Sequence, residues 1–214
     1  MIDLYTWATP NGRKVSIALE ELGLPYRVHA VNIAKGEQLS EEFARISPNQ
    51  KIPAIVDSDA GLTLMESGAI LMYLAGKAGR LLPAEPDRYW EAIQWLMWQK
   101  AAFGPMLGQA LHYLKYNRGK STYSEDRFEI ETHRLYRVLD RQLESREFIA
   151  AGEYTIVDIA CWPWTARHEY QSVDLHEYPH VLDWYMRIAE RPAVRAGWAV
   201  PLPEDVPLPP PADV

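Results

Sequence analysis

Apolar residues change their spacing along the chain, and the changes predict its elements. Ile2 to Trp7 is a short apolar run that reads as a strand. Ala8-Thr9-Pro10-Asn11-Gly12 has turn composition. Val15, Ala18, Leu19 and Leu22 then recur at helical spacing, which predicts a helix over about 11–22. Gly23-Leu24-Pro25 stops it. Tyr26, Val28 and Ala30 alternate with Arg27 and His29, a second strand, so the first two strands should be parallel with a right-handed crossover. A short helix is expected over about 40–45. Ala54–Val56 and Leu62–Leu64 predict two more strands around the hairpin signal Asp57-Ser58-Asp59-Ala60-Gly61. A helix over about 66–77 completes a β-α-β-α-β-β-α series.

Beyond Gly79 the strand signals stop. Residues 80–86 carry two prolines and no periodicity, as a linker does. A long helical stretch is predicted over about 87–114, with Gly104-Pro105 and Gly108 expected to kink it. A polar loop should follow over 116–124, then a helix over about 125–145, a third from Thr155, a fourth near Pro179 and a last turn over 193–198. Thr155-Ile156-Val157-Asp158 is a capping box. The residues after it, Ile159 to Trp164, are too apolar for a surface helix and belong in a core. Residues 201–214 hold six prolines and little to bury, so an extended or disordered tail is expected. The expected organisation is an α/β domain over 1–79, a linker over 80–86, an all-helical domain over 87–200 and the tail over 201–214.

Composition narrows the function. With 214 residues, 48% hydrophobic and 24% charged, the chain reads as an ordinary globular protein with a sizeable core. A formal charge of −7 argues against nucleic acid as the main partner. No apolar run is long enough to span a bilayer, and Met1 to Tyr5 does not resemble a signal peptide. The single cysteine, Cys161, excludes an internal disulfide and fits a reducing compartment, so a cytoplasmic location is expected. Flanked by Ala160 and Trp162, it reads as a buried structural thiol. His176 and His180 are separated by Pro179 and have no third ligand nearby, so no metal site is expected.

The stretch richest in chemistry is Ser47-Pro48-Asn49-Gln50-Lys51-Ile52-Pro53-Ala54-Ile55-Val56-Asp57. Pro53 precedes a strand, where the loss of a backbone donor is tolerated. A cis Ile52–Pro53 bond would turn the main chain of Ile52 outward to pair with a peptide-like guest. Glu66-Ser67 opens a helix whose free N–H groups suit a carboxylate, while the Glu66 side chain suits an ammonium. These places together would grip a zwitterionic peptide.

This order of elements, with Ile-Pro before the third strand and Glu-Ser at the third helix, resembles the cytosolic glutathione transferases: a thioredoxin-like domain followed by an all-helical one. Thr9-Pro10-Asn11-Gly12, Arg45 to Asp57, Glu66 to Leu71, Gly104 to Gln109 and Asp158 to Trp164 look like the Nu-class branch, bacterial glutathione-dependent disulfide-bond oxidoreductases. The resemblance implies that Asn11 approaches the glutathione sulfur, with Thr9 beside it. It implies that Gln38 contacts the peptide, Ile52 clasps its cysteinyl part, Glu66 and Ser67 hold the γ-glutamyl end, and Arg127 reaches the ligand. Lys51 is added by its charge, for the glycyl carboxylate. Arg127 also stands one helical turn from Glu131, so a plain ion pair is the alternative there. Tyr5 is a weaker candidate for a thiolate donor, since alternation equally places it in the sheet's packing.

Where a thioredoxin-type reductase carries Cys-x-x-Cys, this chain has Thr9-Pro10-Asn11-Gly12. Any thiol chemistry must use the sulfur of glutathione, with a helix N-terminus and side-chain donors favouring its thiolate. The expected activity is reduction of a small disulfide. The alternatives are conjugation of glutathione to electrophiles and, from another class, a non-catalytic glutathione-binding protein. The resemblance also implies a homodimer.

Overall fold

The computed structural model describes residues 1–210; residues 211–214 of the expected tail lie outside the described residues. Chain contacts divide it into two compact units. The first joins Met1–Leu82 to Glu190–Val206, and the second takes Pro83–Ala189 and the chain from Pro207.

In the first unit the order is β1 (Ile2–Thr6), α1 (Pro10–Leu22), β2 (Tyr26–Ala30), α2 (Glu41–Ile46), β3 (Ala54–Asp57), β4 (Leu62–Met65) and α3 (Ser67–Ala78). They form a four-stranded sheet in the order β2-β1-β3-β4. β1 runs parallel to β2, with Leu4 opposite Val28, and antiparallel to β3, with Leu4 opposite Ile55. This is the thioredoxin-like arrangement that the periodicity and the resemblance imply. Alternation along β1 explains the layering: Ile2, Leu4 and Thr6 are buried, while Tyr5 turns to a cluster of Val31, Phe43 and Ala54. The buried Asp57 carboxylate ties the hairpin to α3, accepting from Lys77 Nζ at 2.8 Å, from the Tyr73 hydroxyl at 2.7 Å and from Asp59 N at 3.2 Å. Lys77 and then Tyr73 hold that carboxyl well below its usual range, at about 2.

The last helical turn, expected in the helical domain, packs instead with the first unit. α9 (Pro192–Trp198) lies against α1 so closely that a Cβ on Gly197 would stand 2.5 Å from Ile17 Cα. Ser16 Oγ donates to Gly197 O at 2.6 Å, and Arg191 forks onto the Glu21 carboxylate at 2.6 and 2.8 Å. Residues 201–206 are irregular, as expected, yet they are not loose. Glu204 pairs with Arg13, and the Asp205 carbonyl accepts from Trp198 Nε1 at 2.9 Å. A proline-rich segment needs few hydrogen bonds of its own, so a few side chains from elsewhere suffice to fix it.

In the second unit α4 (Pro86–Trp98) passes through a π-helical stretch (Gln99–Phe103) into α5 (Gly104–Ala110) and a second π-helical stretch (Leu111–Tyr116). The helical run continues without a break through Gly104-Pro105 and Gly108, where kinks are expected. Widened turns absorb the proline, whose missing N–H falls at the start of α5. Both glycines answer to close packing: a Cβ at 104 would stand 2.7 Å from Gln99 Nε2 and 3.3 Å from Trp164 Nε1, and one at 108 would stand 3.3 Å from the Trp164 ring. The expected polar loop is shorter than 116–124, because α6 (Thr122–Leu143) starts early on a Ser121 cap, with Ser124 N donating to its hydroxyl at 3.3 Å. α7 (Ile156–Thr165) is buried along its whole length, Cys161 included, and α8 (Pro179–Ala189) packs beside it.

The capping box of α7 is present and reaches further than its sequence suggests. Asp158 Oδ2 accepts from Thr155 N at 2.9 Å and from Thr155 Oγ1 at 3.2 Å, while Oδ1 accepts from Ile149 N and Trp184 Nε1, both at 3.0 Å. One carboxylate thus organises the helix start, the preceding loop and α8.

Candidate active site

The site is built where α1 begins. Thr9 is its N-cap, with extended backbone, and its hydroxyl accepts from Gly12 N at 3.2 Å. A hydroxyl accepts and donates at once, so its hydrogen remains available to a guest. Pro10 takes the first helical position, where its missing N–H costs nothing. Asn11 follows, half-buried at the helix mouth. Gly12 is required by contact: a Cβ there would stand 2.3 Å from Trp7 O and 2.4 Å from Thr6 Oγ1. The first turn of α1 therefore sits directly on the end of β1, with the partial positive charge of the helix end at Thr9 to Asn11.

The Ile52–Pro53 bond is cis. Strand pairing of β3 begins at Ala54, opposite Tyr5 and Met65, so Ile52 lies outside the ladder. Its side chain packs against the Val31–Phe43–Ala54 cluster and fixes the loop. Ser47, which the sequence reading left without a role, does the rest. It is fully buried, its hydroxyl donates to Lys51 O at 2.9 Å, and its carbonyl accepts from Gln50 N at 2.8 Å. Ser47 and the cis bond together set the path of Lys51 and Ile52. Lys51 itself is exposed.

Glu66 is the N-cap of α3 with φ 71° and ψ 113°, outside the ordinary regions for a residue with a side chain. Such a conformation costs on the order of 1–3 kcal/mol and persists where the surroundings impose it. Glu66 is exposed and Ser67, next to it at the helix start, is buried. Gln38 sits in a short 3-10 turn, Glu37–Leu39. Its Oε1 is shut off from solvent and has no hydrogen-bond partner among the described residues. Buried acceptors are ordinarily satisfied, so this oxygen is ready for a donor. Thr9, Asn11, Gln38, Lys51, Ile52, Glu66 and Ser67 all lie in the first unit.

Tyr5 is not presented at this helix mouth. Its ring stacks on His29 at 4.5 Å with 13° between planes and leans on Phe43, and it lines a cavity of about 170 Å³ with Ser40 and Glu42. Burial, and after it the Asp3 carboxylate, pushes its hydroxyl above the usual tyrosine range. Arg127 belongs to the second unit, exposed on α6 and lining a cavity of about 550 Å³ with Met106, Tyr123 and Phe128. Its alternative partner Glu131 is engaged by Arg134, at 2.7 Å in each of two bonds. Among the described residues no group of three or more His, Cys, Asp or Glu is disposed to hold a metal ion, and no helix is long and apolar enough to cross a membrane.

A thioredoxin-like sheet with a cis-proline loop and a cysteine-free helix mouth, in a chain whose remainder is helical, defines a recognisable class. Residues 1–76 match the family model for the glutathione S-transferase N-terminal domain and residues 99–192 match that for the C-terminal domain, and the chain belongs to the glutathione S-transferase family. Among its relatives is the disulfide-bond oxidoreductase YfcG of Escherichia coli (strain K12), 48% identical over 198 residues, which cover 90% of this chain and 92% of that protein. A glutathione transferase from Pseudomonas putida, crystallised with one glutathione disulfide bound per subunit, superposes with a TM-score of 0.89 at 42% identity, covering 94% of this chain and 91% of that one. A family member from Pseudomonas fluorescens pf-5 with two glutathione bound gives a TM-score of 0.88 at 43% identity, covering 94% and 93%.

Proposed function

We propose that this chain is a glutathione-dependent disulfide-bond oxidoreductase of the Nu class, cytoplasmic and homodimeric, in which no protein cysteine takes part. The observation that carries the reading is the start of α1. Thr9 and Asn11 stand at a helix N-terminus where related folds place a reactive thiol, and the chain's one cysteine is buried in α7. The names and ligands of the relatives point the same way. In this reading Ile52 offers its main chain to the cysteinyl part of glutathione. Glu66 and Ser67 hold the γ-glutamyl end, Gln38 supplies its buried acceptor, and Lys51 meets the glycyl carboxylate.

The helix end, the Thr9 hydroxyl and the Asn11 amide favour the thiolate over the thiol, whose free pKa near 8.5 leaves only a few per cent ionised at neutral pH. The thiolate attacks one sulfur of a small disulfide. An S–S bond forms, the substrate's S–S bond breaks, and the departing thiolate takes a proton. A second glutathione thiolate then attacks the first glutathione's sulfur in this mixed disulfide and expels the substrate's remaining thiolate, which takes a proton, so two glutathiones become one glutathione disulfide as the substrate becomes two thiols.

Two measurements test this. Purified protein supplied with glutathione is expected to turn over a model disulfide much faster than it conjugates a model haloaromatic. Strong conjugation without disulfide turnover would make it an electrophile-conjugating transferase instead. The second concerns Glu66. Glu66→Gly removes a side chain from a position with φ 71°, so the fold should keep its stability or gain up to about 1 kcal/mol. If the carboxylate grips the ammonium of the γ-glutamyl group, glutathione should bind at least about tenfold more weakly by calorimetry. Unchanged affinity would remove Glu66 from the site.

A further inference from the structure

The proposed mechanism leaves unused a buried cation of α1, Arg13. Arg13 lies two positions after Asn11, still in the first turn, and is 0% exposed. Its guanidinium carbon stands 3.5 Å above the ring centroid of Trp198, and its Nη2 donates to the Glu204 carboxylate. A guanidinium withdrawn from water needs a counter-charge and an aromatic face in place of its hydration. Here the face comes from α9 and the counter-charge from the segment after it, 191 positions along the chain. That segment is itself fixed by the bond from Trp198 Nε1 to Asp205 O at 2.9 Å.

The first turn of α1 is thus held on two sides. Gly12 presses on the end of β1, and Arg13 is seated between Trp198 and Glu204. We infer that Glu204 is a positioning residue for the reaction: through Arg13 it sets where Thr9 and Asn11 stand. This rests on the proposed roles of Thr9 and Asn11 toward the glutathione sulfur. Glu204 touches no substrate. Its influence comes from geometry, because a misplacement of about 1 Å in a group that orients the reacting atom costs about hundredfold in rate.

Glu204→Gln keeps the shape and removes the charge. Its kcat for glutathione-dependent disulfide turnover is expected to fall about tenfold, while KM for glutathione stays within about twofold, the pattern of a lost transition-state contribution. Backbone amides of residues 12–15 should exchange hydrogen faster than in the wild type. The double variant Arg13→Met with Glu204→Gln removes the buried charge together with its counter-charge and is expected to return kcat to within about threefold of wild type. Asp57→Asn is the control: it loosens the same unit at the hairpin, so it should lower Tm and leave kcat unchanged. Glu204→Gln lowering Tm as Asp57→Asn does, with kcat and amide exchange at residues 12–15 equal to wild type, would overturn the inference. Should Glu204→Gln not fold, Glu204→Asp with its shorter stem is measured instead, and an unchanged kcat and exchange overturns the inference equally. If the wild type turns over neither disulfides nor electrophiles, the proposed function fails, and the exchange comparison alone decides the role of Glu204.

Discussion

Replacing Asn11 by alanine is expected to cut glutathione-dependent disulfide turnover about hundredfold while leaving glutathione affinity within about threefold. A donor aimed at developing or resident negative charge contributes on this scale when it is fixed in advance. Asn11 is fixed in advance: Pro10 sets the entry of the helix and Gly12 locks the turn onto β1 at a distance no side chain would tolerate. In the proposed function glutathione is gripped elsewhere, through Ile52, Glu66 and Ser67, so affinity should survive the loss. Steady-state kinetics with a small disulfide, paired with calorimetric titration of glutathione, separates the two quantities. Equal losses in turnover and in affinity would reduce Asn11 to a binding contact.

The largest effect on stability is expected at Asp158. Asp158→Ala orphans the amides of Ile149 and Thr155 and the indole N–H of Trp184, all buried, and leaves a small void. Each unsatisfied buried donor costs about 1–3 kcal/mol, and the sum over a shared centre should reach about 3–5 kcal/mol in urea unfolding. A loss near 1 kcal/mol would mean that the carboxylate acts only as a helix cap. Burial pushes the Asp158 carboxyl up to about 6, against the pull of its four donors. Its folded value therefore lies above the unfolded one near 3.9. Folding favours the protonated form, so this contribution to stability is fully present below pH about 4 and is lost as pH rises through about 6. The stability gap between wild type and Asp158→Ala should accordingly widen as pH falls from 7 toward 4. A gap that narrows over that interval would place the folded value below the unfolded one.

What the sequence disclosed and what it withheld divide along a physical line. Elements whose signal is local were legible: the alternation of β2, the apolar spacing of α1, the Thr155–Asp158 box and the proline before β3. The same holds for the motif Thr9 to Gly12, because a helix cap and its turn are contiguous. Long-range pairings were not legible. Nothing near Gly197 announces that it packs on Ile17, and nothing near Glu204 announces its partner Arg13. The tail therefore read as loose and α9 as part of the helical domain. Gly104-Pro105 and Gly108 were read as kink sites because glycine and proline ordinarily bend helices. Packing is the reason here: Gly108 faces the ring of Trp164, more than fifty positions away in sequence, and Gly104 faces Gln99 and then Trp164. At the site, the turn held by Ser47 and the conformation of Glu66 depend on how the loop closes, which residue types alone do not encode.

The depth of Cys161 makes the chain its own unfolding reporter. At 0% exposure in α7, the side chain is beyond the reach of an aqueous alkylating reagent in the native state. Since the sequence contains no other cysteine, the alkylation rate counts only those openings that bare this helix. A label at this one position would time the breathing of the second unit, without engineered probes and without interference from the chemistry at α1.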